Sequence, residues 1–255
     1  MSQPHVIAAA DKFVCIRLTS YEDATEKQFI AKLVRGEVAN TSFGILGPDG
    51  TPALRGQGPG RGPSDLFADA RAMAKGMDAV AEKFPPKKVE GTPSLPIALT
   101  AKVGLAVAAG DNQPLVIVLA EDPKRRAELE SAVAALAWDK TYRGYLTFAT
   151  AATAKEFPKV DGVTLAEGVV LVEPDIFGVG GKVVTQVSPK ELAGSLADAV
   201  RDTVRSHVAT AKTRRQLAAL GLQQGIYYET GIPVSGRGEA NDRERYKQQL
   251  DAKKK

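Results

Sequence analysis

One cysteine, two histidines and a scatter of carboxylates are the residues of this 255-residue chain best suited to covalent or acid–base work. Cys15 is the single thiol. Under the two-residue period of a strand it shares a face with Phe13 and Arg17, and a guanidinium beside a thiol favours the thiolate. Cys15 with Arg17 is therefore the candidate nucleophilic pair. Its position argues the other way, because a cysteine in the middle of an apolar run ordinarily acts as a small buried hydrophobe. Core burial is the expectation for Cys15. His5 and His207 lie far apart, one cysteine cannot build a multi-thiolate site, and no metal is called for. Glu121, Asp122, Glu128 and Glu130 could pair as acid and base. Lys124, Arg125 and Arg126 are interleaved with them, however, and the group reads as a solvated first helical turn whose dipole suits acidic residues. Glycines at 56, 58, 60 and 62 do not form G-x-G-x-x-G, Pro59 removes an amide, and no Gly-Lys-Ser/Thr follows. That loop reads as a connector, and no cofactor is expected.

The elements that must position these residues fall into two segments. In the first, Phe13 to Leu18 is an apolar run of the buried-strand type. A helix follows over 21–34, with Thr19 and Ser20 as caps. Ser42 to Leu46 and Thr51 to Arg55 flank the turn Gly47-Pro48-Asp49-Gly50, a hairpin signal. A helix then runs from Ser64 to about Phe84, and residues 85–95 read as a linker, opened by Pro85-Pro86-Lys87-Lys88. The second segment places a helix over 99–109 and its clearest buried strand over 114–119. A helix follows at Pro123–Ala137, then a strand over 144–149 and a short helix over 153–157. Strands at 169–172 and 182–187 flank a second Pro-Asp turn, Pro174-Asp175. Ser188 with Glu191 then opens a helix that reaches His207, which reads as a surface group. Both segments carry a Pro-Asp turn inside a hairpin and close on an amphipathic helix, so the chain reads as an internal duplication.

Strand, helix, strand, helix, hairpin and closing helix is an order that resembles the thioredoxin fold. The residues carrying the resemblance are 11–23 (DKFVCIRLTSYED) with 40–65 (NTSFGILGPDGTPALRGQGPGRGPSD), and, more weakly, 115–133 with 168–192. They are similar to thioredoxin-like domains of uncharacterised bacterial proteins. The resemblance implies an α/β fold of two tandem thioredoxin-like domains, each a central mixed sheet with flanking helices, over 5–88 and 96–210. It also implies where a redox centre would sit, namely a Cys-x-x-Cys just after the first core strand, at a helix N-terminus. Here those stretches are Thr19-Ser20-Tyr21-Glu22-Asp23 and Ala120-Glu121-Asp122-Pro123-Lys124, and neither has a cysteine. The proline that would precede the hairpin is missing from both Asn40-Thr41-Ser42 and Glu167-Gly168-Val169.

Charge divides unevenly. Lys plus Arg against Asp plus Glu is 12 to 11 over residues 1–94, 12 to 14 over 95–210, and 10 to 5 over 211–255. The basicity belongs to the C-terminal extension, and the near-neutral body argues against a nucleic-acid surface. Within the extension, Lys212 to Leu217 reads as a continuation of the preceding helix. Ile226, Tyr227, Tyr228, Ile232 and Val234 are too apolar for a spacer and read as a docking arm for a partner. No apolar run reaches the ~18 residues of a membrane span, and the N-terminus lacks a leader's pattern, so the expected location is cytoplasmic. The expected function is a redox-inactive thioredoxin-like module that binds a protein partner or a second copy. A single-cysteine thiol oxidoreductase or peroxidase-like enzyme using Cys15 is the alternative.

Overall fold

The computed structural model describes residues 3–18, 20, 23–34, 42–54, 58–60, 62–85, 91–98, 100–226 and 251–252. The chain is α/β, and the described residues divide between Glu90 and Gly91 into two compact units.

In the first unit, α1 (Pro4–Ala10) and α3 (Ala70–Lys83) pack together. Val6 and Ala9 meet Met73, Ala74, Met77 and Val80, with Ile45 completing the cluster. These apolar positions of α3 recur at three- and four-residue spacing, which puts them on one face. Asp69 caps its N-terminus by accepting from the Ala72 amide at 2.8 Å, and Lys12 pairs with Asp78 across the two helices. Helix α2 (Ala24–Val34) is capped by Asp23, which accepts from the Glu26 amide; of the expected caps, Thr19 lies outside the described residues. The expected turn at 47–50 is present. Gly50 donates to the Gly47 carbonyl with φ +76°, the Asp49 carboxylate takes the Thr51 amide and hydroxyl, and Leu46 bridges Pro52.

The expected strand over Phe13–Leu18 is not there. The chain leaves α1 through a turn in which Phe13 donates to the Ala10 carbonyl, and residues 14–18 have no regular structure. Phe13 packs against the cluster, while Val14 and Ile16 are 71% and 67% exposed. An apolar run becomes a strand only when neighbours take up its amides and cover its faces, and among the described residues this one takes part in no ladder.

The second unit holds a six-stranded mixed sheet in the order β1-β3-β2-β5-β6-β4, formed by β1 (Ile97–Ala98), β2 (Leu115–Leu119), β3 (Thr147–Ala151), β4 (Val160–Asp161), β5 (Gly168–Pro174) and β6 (Gly181–Val187). β1, β3 and β2 run parallel, β5 is antiparallel to β2 and to β6, and β4 is parallel to β6. Alternation sorts the core onto two faces. Val116, Val118, Phe148, Val169 and Leu171 meet Leu129 and Val133 of α5 (Pro123–Ala137) and Leu196 and Val200 of α6 (Leu192–Ser206). Leu115, Ile117, Leu119, Val170 and Val172 meet Ala101, Leu105 and Ala108 of α4 (Ala101–Asp111), with Phe157 and Val160. Every residue of β2 is fully buried, as its uninterrupted apolar run requires.

Several expectations shift in this unit. Residues 138–145 are turns, with Gly144 at φ +86°, so β3 starts at Thr147. Glu191 does reach back to the Ser188 amide and hydroxyl, but a turn intervenes and α6 starts at Leu192. His207 is extended (ψ 130°) and ends α6; a separate helix, α7 (Arg214–Gln224), opens with a Thr213–Gln216 capping box.

Candidate functional site

Two places could carry chemistry: the Cys15 segment of the first unit and the N-terminus of α5 in the second. Cys15 is exposed, not buried as expected. Arg17 beside it is exposed as well and makes a contact of its own. Without a strand, the two-residue period that put Phe13, Cys15 and Arg17 on one face does not apply.

At α5 the chain leaves β2 through Ala120, and Asp122 caps the helix by accepting from the Arg125 amide at 2.8 Å. Pro123 takes the first helical position, where its missing amide costs nothing. The Arg125 guanidinium spans from its own helix to the loop before β5. It donates to Glu167 at 3.0 and 2.9 Å and to Glu128 one turn on. Those hydrogen bonds, Glu128 first and then Glu167, raise its pKa above the ordinary arginine value. Arg126 turns back to the Ala120 carbonyl at 3.0 Å and lies 3.9 Å from Glu130. Of the carboxylates read as a solvated helix start, Glu121, Asp122 and Glu128 are exposed; Asp122 is the cap, and Glu128 and Glu130 stand against Arg125 and Arg126.

The loop that carries Glu167 is organised by one side chain the sequence reading passed over. Gln186 of β6 accepts from the Thr164 and Leu165 amides and donates to the Gly162 carbonyl and Thr164 hydroxyl. Gly168 then enters β5 at φ +144°, where a Cβ would stand 2.4 Å from the Val187 carbonyl. Only glycine fits. A glutamine at mid-strand and a lone glycine at a strand start carry no signal from which this role could be read.

Of the glycine loop, the described part does not cradle an anion. The Gly60 amide is spent on the Phe43 carbonyl at 2.9 Å, and Phe43 donates back at 2.7 Å. Ile226 is half-buried and donates to the Gly221 carbonyl, whereas Tyr227, Tyr228, Ile232 and Val234 lie outside the described residues. Among the described residues no three His, Cys, Asp or Glu side chains converge as metal ligands, and no helix is long and apolar enough to cross a membrane. No family model, curated protein or solved structure matches the chain.

Proposed function

We propose that this chain is a redox-inactive thioredoxin-like protein that works by binding another protein or a second copy, with the residues after 210 as its docking arm. The observation that carries the reading is the start of α5. The elements β2, α5, β3, β5, β6 and α6 come in the order of the resemblance, with a three-residue 3-10 turn and β4 between β3 and β5 in place of its second helix. The stretch Ala120–Lys124, where the resemblance would put a dithiol, holds Asp122 as a cap, next to Arg125 paired to Glu128 and Glu167. A scaffold retained with its nucleophiles replaced by a cap and ion pairs is suited to presenting a surface. In the first unit only the Pro48-Asp49 turn and a closing helix, α3, support the tandem reading, because among the described residues that unit holds two isolated bridges and no strand.

The test is capture from source cells on the full chain and on a version ending at Thr210, followed by direct binding of the purified partner. A stoichiometric partner lost with the truncation is the expected result. A full chain that retains nothing and stays monomeric ends this reading.

The exposure of Cys15 favours one second reading, a thiol enzyme using that residue. An enzyme's thiol must react in the native state faster than a small model thiol at neutral pH. A rate with a disulfide reagent no greater than the model's removes it.

A further inference from the structure

Both ring nitrogens of His207 are engaged. Nδ1 lies 3.0 and 2.9 Å from the two carboxylate oxygens of Glu173 in β5, and Nε2 lies 2.9 Å from the carbonyl oxygen of Asn112, the C-cap of α4. The side chain is 14% exposed, against 40% for Glu173. A carboxylate and a carbonyl are both acceptors, so each contact is a hydrogen bond only when that nitrogen carries a proton. Neutral imidazole has one proton to give. Whichever tautomer forms, the other nitrogen turns a lone pair toward an oxygen. Only the imidazolium satisfies both partners. Asn112 also holds the chain a second time, because its side-chain oxygen accepts from the Thr210 amide at 3.0 Å. It does so from a left-handed conformation, φ 54°, the one positive φ at a non-glycine among the described residues.

We propose that His207 is a protonation-controlled latch: charged, it straps residues 207–210 to the end of α4 and to β5, and neutral, it lets that strap go. The charged residues on the surrounding elements are Glu173 in β5, Lys182 opposite it in β6, Asp111 next to Asn112, and Asp202 and Arg205 near the end of α6. Asp202 is tied to Arg201 and Asp111 has a contact of its own, which leaves Glu173 as the carboxylate bonded to the ring. The latch is closed while His207 carries both ring protons and open when one is lost, because one of its two acceptors then faces a lone pair. The device governs how the chain leaves α6.

The experiment is NMR on the full chain. With two histidines in the sequence, a single His5→Gln variant assigns the imidazole nitrogens. At about pH 5.5 both ring nitrogens of His207 are expected to be protonated. The Thr210 amide should then exchange about tenfold more slowly, relative to its intrinsic rate, than at about pH 8.5. His207→Gln is expected to abolish that pH dependence and Glu173→Gln to weaken the low-pH protection. A neutral tautomer of His207 at about pH 5.5, equal Thr210 protection at the two pH values, or a pH dependence that survives in His207→Gln overturns the latch.

Discussion

The two units treat the same kind of sequence in opposite ways. Leu115–Leu119 and Phe13–Leu18 are both short apolar runs that read as buried strands. The first lies at the centre of a sheet with α4 on one face and α5 and α6 on the other, and none of its side chains touches solvent. The second emerges from a turn with Val14, Cys15 and Ile16 exposed. Strand character is thus conferred by the neighbours, which supply ladder partners and two covering layers. The run supplies only compatibility.

The sharpest way to break that contrast is a pair of truncations. Leu171→Ala, in the strand beside β2, is expected to cost about 2–5 kcal/mol of unfolding free energy by denaturant titration. Ile16→Ala should change it by no more than about 0.5 kcal/mol. Equal costs would mean that Ile16 is covered in solution. The glycines of the second unit give the next largest effect. Gly168→Ala places a methyl group against the Val187 carbonyl at a left-handed φ and should cost about 1–3 kcal/mol. Gly194→Ala, in open space within α6, should stabilise by about 0.5–1 kcal/mol. Thermal unfolding of the two variants separates them.

Inside the well-packed unit one buried group goes unsatisfied. The Thr203 hydroxyl is the one buried side-chain polar atom without a hydrogen-bond partner among the described residues. Thr203→Val keeps its shape and should raise stability by about 1 kcal/mol. The smallest effects are in the turns of each unit. Asp49 titrates below the ordinary carboxylate value because the Thr51 amide and hydroxyl bond its charged form, and Glu191 does so because of Ser188. A folded-state value below the unfolded one gives stability that is present above the unfolded value and lost as pH falls through the folded one. Carboxyl NMR titration should place both below their unfolded values. Thr51→Val should return Asp49 part of the way and leave Glu191 where it was.

What could be read from sequence follows the same division. α5 appears at the residues expected, Pro123–Ala137, with its proline in the first turn and acidic residues before it where the helix dipole favours them. The hairpin of β5 and β6 stands where the runs 169–172 and 182–187 on each side of a Pro-Asp turn place it, longer by a residue or two at its ends. β1 and β4 span two residues each, too few for any period to register. At the site, the resemblance singles out the stretch Ala120–Lys124 before and into α5 only as a place without cysteines. What holds it, Arg125 to Glu167 and Gln186 to the 162–165 loop, joins residues 21–42 positions apart along the chain. Cys15 was misplaced for the reason already given for its run. His207 was taken for a surface group because its partners, Glu173 and Asn112, come from elements 34 and 95 residues away.

The brevity of β1 and β4 has a consequence for crowding. An open sheet grows by templating, each outer strand offering its spare amides and carbonyls to whatever extended chain drifts past. On one flank of this sheet the ladder stops after two residues; on the other, β4 gives way to a loop that Gln186 ties down beside the strand. Neither flank offers a long straight ladder to an incoming strand. Short edges and a tied-down loop are the kind of device by which sheets limit edge-to-edge pairing of copies.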